Sequence, residues 1–189
     1  REIIIYGPPT SSGTRDAFED MIMKGQTKKM DVYTSLYKKD KVKNKGYKKY
    51  HKVRQDGINV PSGENDNLIV QKLSKNPAAI GIFGYSFLIE NDDKVAAAKV
   101  NGVFPTPETI SSGDYPISRS LFFYVKNSHR KDVPAIDGYA EMFMKEDMIG
   151  PDGILGEIGL IALPDERREA IRGSVAKHTK LTLDDLSKK

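Results

Sequence analysis

Residues 6–18 read YGPPTSSGTRDAF, from Tyr6 to Phe18. A β-rich run, Ile3-Ile4-Ile5-Tyr6, precedes them and stops at Gly7-Pro8-Pro9. Ala17, Phe18, Met21 and Ile22 then recur at helical spacing, which predicts a helix over Thr14–Lys24. Between the two lie Thr10, Ser11, Ser12, Gly13 and Thr14, followed by Arg15. The first N–H groups of a helix lack intrahelical partners, and the helix dipole adds partial positive charge there. Gly13 leaves those groups approachable, Ser11, Ser12 and Thr14 add hydroxyl donors, and Arg15 adds a planar fork suited to a tetrahedral oxyanion. The handover is a candidate anion site. Plain capping by Ser12 or Thr14 is an equally good local account.

The same alternation continues outward. Glu2–Tyr6, Ile58–Val60, Ala79–Phe83, Val95–Val100 and Leu121–Lys126 read as strands. Helices are expected at the run Leu68, Ile69, Val70 and Leu73, closed by Asn76-Pro77, and at Tyr85–Asn91, Pro105–Ser111, Pro134–Lys145, Asp152–Ile158 and Asp165–Lys177. Lys28–Gln55 reads as helical in pieces, Leu160–Pro164 as extended, and Leu181–Lys189 as loose. Strands alternating with helices define an α/β class. Ligands of such sheets sit at the carboxyl ends of strands. A second polar turn, Ser62–Asn67, lies at another such handover. There Asn65 can donate to an anion, or Asp66 or Glu64 can accept the proton of a protonated oxyanion and repel one without a proton, such as sulfate. The plainer reading is an N-cap at Ser62 with solvated acids.

The 189 residues are 38% hydrophobic, 30% charged and 8% aromatic, with a net charge of +4. That suits a soluble fold with a modest core. Cysteine is absent, which excludes disulfides, thiolate nucleophiles and Cys-ligated metals. The absence fits an exported bacterial protein. No apolar run approaches the roughly 20 residues of a membrane span. His51, His129 and His178 lack metal-ligand spacing. No Ser/His/Asp set, nucleophile elbow or P-loop occurs, so no enzyme, metal or cofactor is expected.

Four stretches carry a resemblance: SSGTRDAF (Ser11–Phe18), GENDNLIVQKLSKNPAAIGIFGYSFL (Gly63–Leu88), YPISRSLFFYV (Tyr115–Val125) and GPDGILGEIGLIALP (Gly150–Pro164). In this order they resemble the phosphate-binding proteins that serve bacterial ABC transporters. The resemblance implies a periplasmic-binding-protein type II lobe, a mixed sheet flanked by helices. It implies that Ser12, Gly13 and Thr14 bind phosphate oxygens, with Ser11 beside them. Some members place an arginine directly after the threonine; others place it four residues before the serine, where this chain has Pro8, so the role falls on Arg15. The match starts partway through the family pattern, and Arg1-Glu2-Ile3 reads as a strand already inside a fold. The expectation is a chain with an incomplete first lobe: residues 1–114 as the second, ligand-binding lobe and 115–189 as a hinge strand and a helical segment returning to the first. Arg119 is then expected in a hinge or interlobe ion pair rather than at the ligand. The implied partners are inorganic phosphate and a membrane permease, and the implied place is periplasmic or extracellular. Self-association through exposed lobe surface is predicted.

Two other functions compete. One is a binding module for another oxyanion or a phosphorylated small molecule. The other is a basic surface-interaction protein acting through Lys38–Arg54, where nine basic residues face one acid, Asp40, and Tyr37, Tyr47 and Tyr50 interleave. A solvated helical face with tyrosines packed inward is the plainer reading of that stretch, and no nucleic-acid partner is expected.

Overall fold

Three short parallel strands meet side by side in the first part of the chain: β1 (Ile5–Gly7), β2 (Asn59–Pro61) and β3 (Ile80–Gly81), in the order β2-β1-β3. This is a computed structural model, and it describes residues 3–32, 35 and 50–187. Ile5 lies opposite Asn59 on one side and Ile80 on the other, and Gly7 lies opposite Pro61. The ladder runs from Ile5 N–H to the Ile58 carbonyl and from Ile82 N–H to the Tyr6 carbonyl, each 2.9 Å. Pro61, which has no N–H to donate, ends the outer strand.

Each strand runs into a helix. β1 leads to α1 (Gly13–Phe18), which continues through a π-helical turn (Glu19–Met23) into α2 (Lys24–Thr27). β2 leads to α3 (Asp66–Lys75), and β3 to α4 (Tyr85–Ile89). Parallel strands require such crossovers, because consecutive parallel strands cannot be joined by a tight turn. α3 buries Ile69 and Val70 completely or nearly so, whereas Leu68 is exposed. Gly81 permits this packing: a Cβ there would stand 2.5 Å from Leu73 Cδ1 and 2.9 Å from Phe83 Cε1.

The chain packs as two compact units, Arg1–Ala98 and Lys99–Lys189. The second unit is helical: α5 (Pro107–Ser112), a 3-10 turn (Asn127–His129), α6 (Ala135–Phe143), α7 (Glu146–Ile149), α8 (Ile154–Glu157), α9 (Asp165–Ala176) and α10 (Leu183–Ser187). α5 starts with a reciprocal capping box between Thr106 and Thr109. Ala140 and Met144 are buried. Arg168, 5% exposed, is the hub. Its guanidinium reaches Glu146 at 2.5 Å and Asp165 at 2.6 Å and donates to the Leu163 carbonyl, while Arg172 also pairs with Glu146.

The α/β class stands. Of the expected mixed sheet, the described residues carry parallel pairings, plus one isolated antiparallel bridge between Val100 and Val103. Three local expectations are corrected. Val95–Val100 is not a strand: Asn101 and Gly102, both at positive φ, turn the chain back so that only Val100 pairs. Leu121–Lys126 is irregular, because no strand among the described residues pairs with it. Its Leu121, Phe122, Phe123 and Tyr124 are exposed, and Phe123 packs edge-on against Phe143 at 4.9 Å. Of the stretch 181–189 expected to be loose, Leu183–Ser187 instead forms α10, begun by Thr182, whose N–H and hydroxyl both donate to Asp185, and 188–189 lie outside the described residues. Most of Lys38–Arg54, with Tyr37 and Tyr47, lies outside the described residues. Tyr50 is exposed rather than packed inward.

Candidate functional site

The helix start sits one residue earlier than the sequence pattern implies, at Gly13. Ser12 has extended backbone, and its Oγ accepts from Thr14 N–H at 3.2 Å, so Ser12 is the N-cap. Ser11, one residue before, is exposed and donates through Oγ to Glu64 Oε1. That bond brings the turn after β1 against the turn after β2. The ladder supports it from below, since Ser62 N–H donates to the Gly7 carbonyl at 2.9 Å.

The second turn is capped by Asn65, not by Ser62. The Asn65 side chain accepts from Asn67 N–H at 2.9 Å. Ser62 is buried; its hydroxyl donates to the Val60 carbonyl at 3.1 Å and accepts from Lys72 Nζ at 3.0 Å. Lys72 in turn lies 5.5 Å from the Tyr6 ring centre, a cation–π contact on the central strand. Asp66 is buried at 8% exposure. Its Oδ2 accepts from Gly84 N–H at 2.9 Å, which ties α3 to the turn after β3. Burial raises the Asp66 carboxyl above its ordinary range; the Gly84 hydrogen bond opposes this, and the charge of Glu64 adds to it. Three helix starts therefore converge at the carboxyl end of one parallel sheet.

Arg15 sits under the first turn. Its side chain is 5% exposed and that of Glu19 6%, with Arg15 Nε 3.2 Å from Glu19 Oε1. Among the described residues this is the hydrogen bond the guanidinium makes. Glu19 is held from elsewhere: Val53 N–H donates to Oε1 at 3.1 Å and Lys52 Nζ to Oε2 at 2.5 Å. Burial would raise the Glu19 carboxyl, but the bonds from Lys52, Val53 and Arg15 outweigh it and hold it below its ordinary range. Arg15 also lines a small cavity of about 10 Å³ with Gly7, Pro8, Phe18, Val53, Asn59 and Ile82. Among the described residues no cluster of three metal-ligating side chains occurs.

Of the seven sequence-selected residues, Ser11, Ser12, Gly13, Thr14 and Arg15 form one turn, and Glu64 joins it to the turn of Asn65 and Asp66. Asp66 points to Gly84 rather than outward. Sequence reasoning missed Glu19, Lys52, Lys72 and Gly84. Glu19 had a signal, since it stands four residues after Arg15 on a helix. The others are brought in by tertiary packing.

The arrangement matches a known architecture. Residues 1–147 match the family described as the PBP superfamily domain, and the chain belongs to that family. It is similar to proteins named "Phosphate-binding protein PstS". One from Staphylococcus haemolyticus is 32% identical over 137 residues, 70% of this chain and 34% of that protein. One from Staphylococcus saprophyticus is 27% identical across 100% of this chain and 51% of that protein. A crystal structure of PstS from Borrelia burgdorferi superposes with a TM-score of 0.55 at 25% identity, covering 86% of this chain and 53% of that one. The chain thus spans about a third to a half of the length of these relatives. They are named for binding, not for catalysis.

Proposed function

We propose that this chain binds inorganic phosphate, as a non-enzymatic solute-binding part of an ABC phosphate uptake system outside the cytoplasmic membrane. The observation that carries the reading is Arg15: a buried guanidinium beside a hydroxyl-rich helix start, engaged through Nε alone among the described residues. Its remaining N–H groups and the hydroxyls of Ser12 and Thr14, either side of the small Gly13, suit the oxygens of a tetrahedral anion. Ser11 and Asn65 border the same strand ends. The names of the relatives support phosphate over other anions. With this reading goes the division into a ligand lobe over 1–114 and a returning segment over 115–189, and delivery of the loaded protein to a membrane permease. No helix among the described residues is long and apolar enough to cross a membrane.

The test is a titration of inorganic phosphate into the chain and into a variant carrying Thr14→Val and Arg15→Ala. The double substitution is expected to abolish measurable binding. Equal affinity in both overturns the site. Displacement of phosphate by equimolar sulfate overturns the ligand but leaves an oxyanion site.

A further inference from the structure

We infer that Glu19 is the positioning residue of the anion turn: it fixes the Arg15 guanidinium through Nε and leaves both Nη groups to the oxyanion. The inference rests on the phosphate-binding reading above.

Glu19 is an anchored acceptor. One oxygen is shared by Arg15 Nε and the backbone N–H of Val53, and the other takes Lys52 Nζ. A backbone donor cannot swing away as a side chain can, so Val53 sets where the carboxylate lies. The carboxylate then sets where the guanidinium lies. Arginine carries five N–H donors in one plane; with Nε engaged, the Nη groups keep the other four. An oxyanion that accepts from them makes charge-assisted hydrogen bonds, about twice as strong as neutral ones. Lys52 compensates the Glu19 charge, so the cluster of Arg15, Lys52 and Glu19 keeps one net positive charge for the ligand. The π-helical turn that begins at Glu19 is a local departure of the kind that often accompanies functional sites.

Positioning and plain charge predict opposite signs. Glu19 is negative, so as a charge alone it repels phosphate, and its removal would tighten binding. As the group that aims Arg15, its removal loosens binding.

Phosphate affinity is measured for the 189-residue chain and for Glu19→Gln, Glu19→Ala, Arg15→Ala and the Glu19→Ala, Arg15→Ala double variant. Glu19→Ala is expected to weaken binding at least about tenfold, the effect of one charge-assisted hydrogen bond. Glu19→Gln keeps an oxygen for Arg15 and Val53 and is expected to restore most of that loss. In the Arg15→Ala background Glu19→Ala is expected to change nothing further. Unchanged or tighter binding by Glu19→Ala overturns the role, as does an equal loss with and without Arg15. Proton exchange at Arg15 Nε, followed by NMR without phosphate, reads the contact directly. Slow exchange in the wild type and in Glu19→Gln supports it; fast exchange in the wild type overturns it even if phosphate binds. Failure of the wild type to bind phosphate instead strikes the function itself, and the positioning role falls with it.

Discussion

Ser11 Oγ donates to Glu64 Oε1, and this bond joins the turns that follow two neighbouring strands. Ser11 is a donor the ligand would want, and Glu64 is a negative charge the ligand would avoid. Glu64→Gln keeps an acceptor for Ser11 and removes the charge. Phosphate affinity is expected to rise about threefold in low salt, the scale of one unit charge several ångströms away in water. The gain shrinks as salt approaches physiological strength. A loss of affinity in this variant would instead make Glu64 the acceptor of a phosphate proton and sink the repulsion account.

Asp66 gives a pH signature. Its carboxyl is raised by burial, and Glu64 adds to the rise while Gly84 opposes it, so the folded protein holds this proton more tightly than the unfolded chain. Its stabilising contribution is complete below the ordinary value of 3.8 and is lost as pH rises through the folded value. Asp66→Asn keeps an oxygen for Gly84 N–H and has no charge to bury. Its melting temperature is expected to exceed the wild type's by about 2 °C or more at pH 7 and to match it below pH 4. Thermal unfolding at the two pH values checks this; a difference that does not change with pH rules it out.

Glu146 has the opposite sign. Hydrogen bonds from Arg168 and Arg172 outweigh the effect of burial and hold its carboxyl below the ordinary 4.5. Its contribution is present above that value and disappears as pH falls through the folded one. Glu146→Gln is expected to lower the melting temperature at pH 7, with the gap to the wild type closing below pH 4. A gap that persists in acid would show that the amide disturbs the packing between Arg168 and α7 rather than the ion pairs.

Much of the first unit was legible because local chemistry and tertiary context agree there. Ile-Ile-Ile-Tyr stopped by Gly-Pro-Pro can only end a strand, and Ser12 or Thr14 had to cap whatever helix followed. Local signals failed where a partner decides the structure. Leu121–Lys126 has strong β-propensity, but a strand forms only against a neighbour, and among the described residues it has none. At the site, the turn and Arg15 were readable. The direction of Asp66 was not, because it depends on Gly84 eighteen residues on. Nor was the anchoring of Glu19 by Lys52 and Val53, which lie 33 and 34 residues away.

The π-helical turn has a consequence for how this helix could tolerate change. Lys24 N–H donates to the Glu19 carbonyl five residues back, one more than an α-helix uses. Glu19 and Thr27 are both buried, and Thr27 Oγ1 donates to the Tyr50 carbonyl at 3.0 Å. In an unbroken α-helix, residues eight apart diverge by about 80° around the axis. The wide turn absorbs that divergence, so Arg15 and Glu19 can serve the strand ends while Thr27 still faces its own partner. Deleting one residue between Asp20 and Met23 would close the turn into regular α-helix and leave Glu19 and Thr27 seven apart, within about 20° of one face. The helix thus carries a single surplus residue there, one it could lose without turning Thr27 away from its partner.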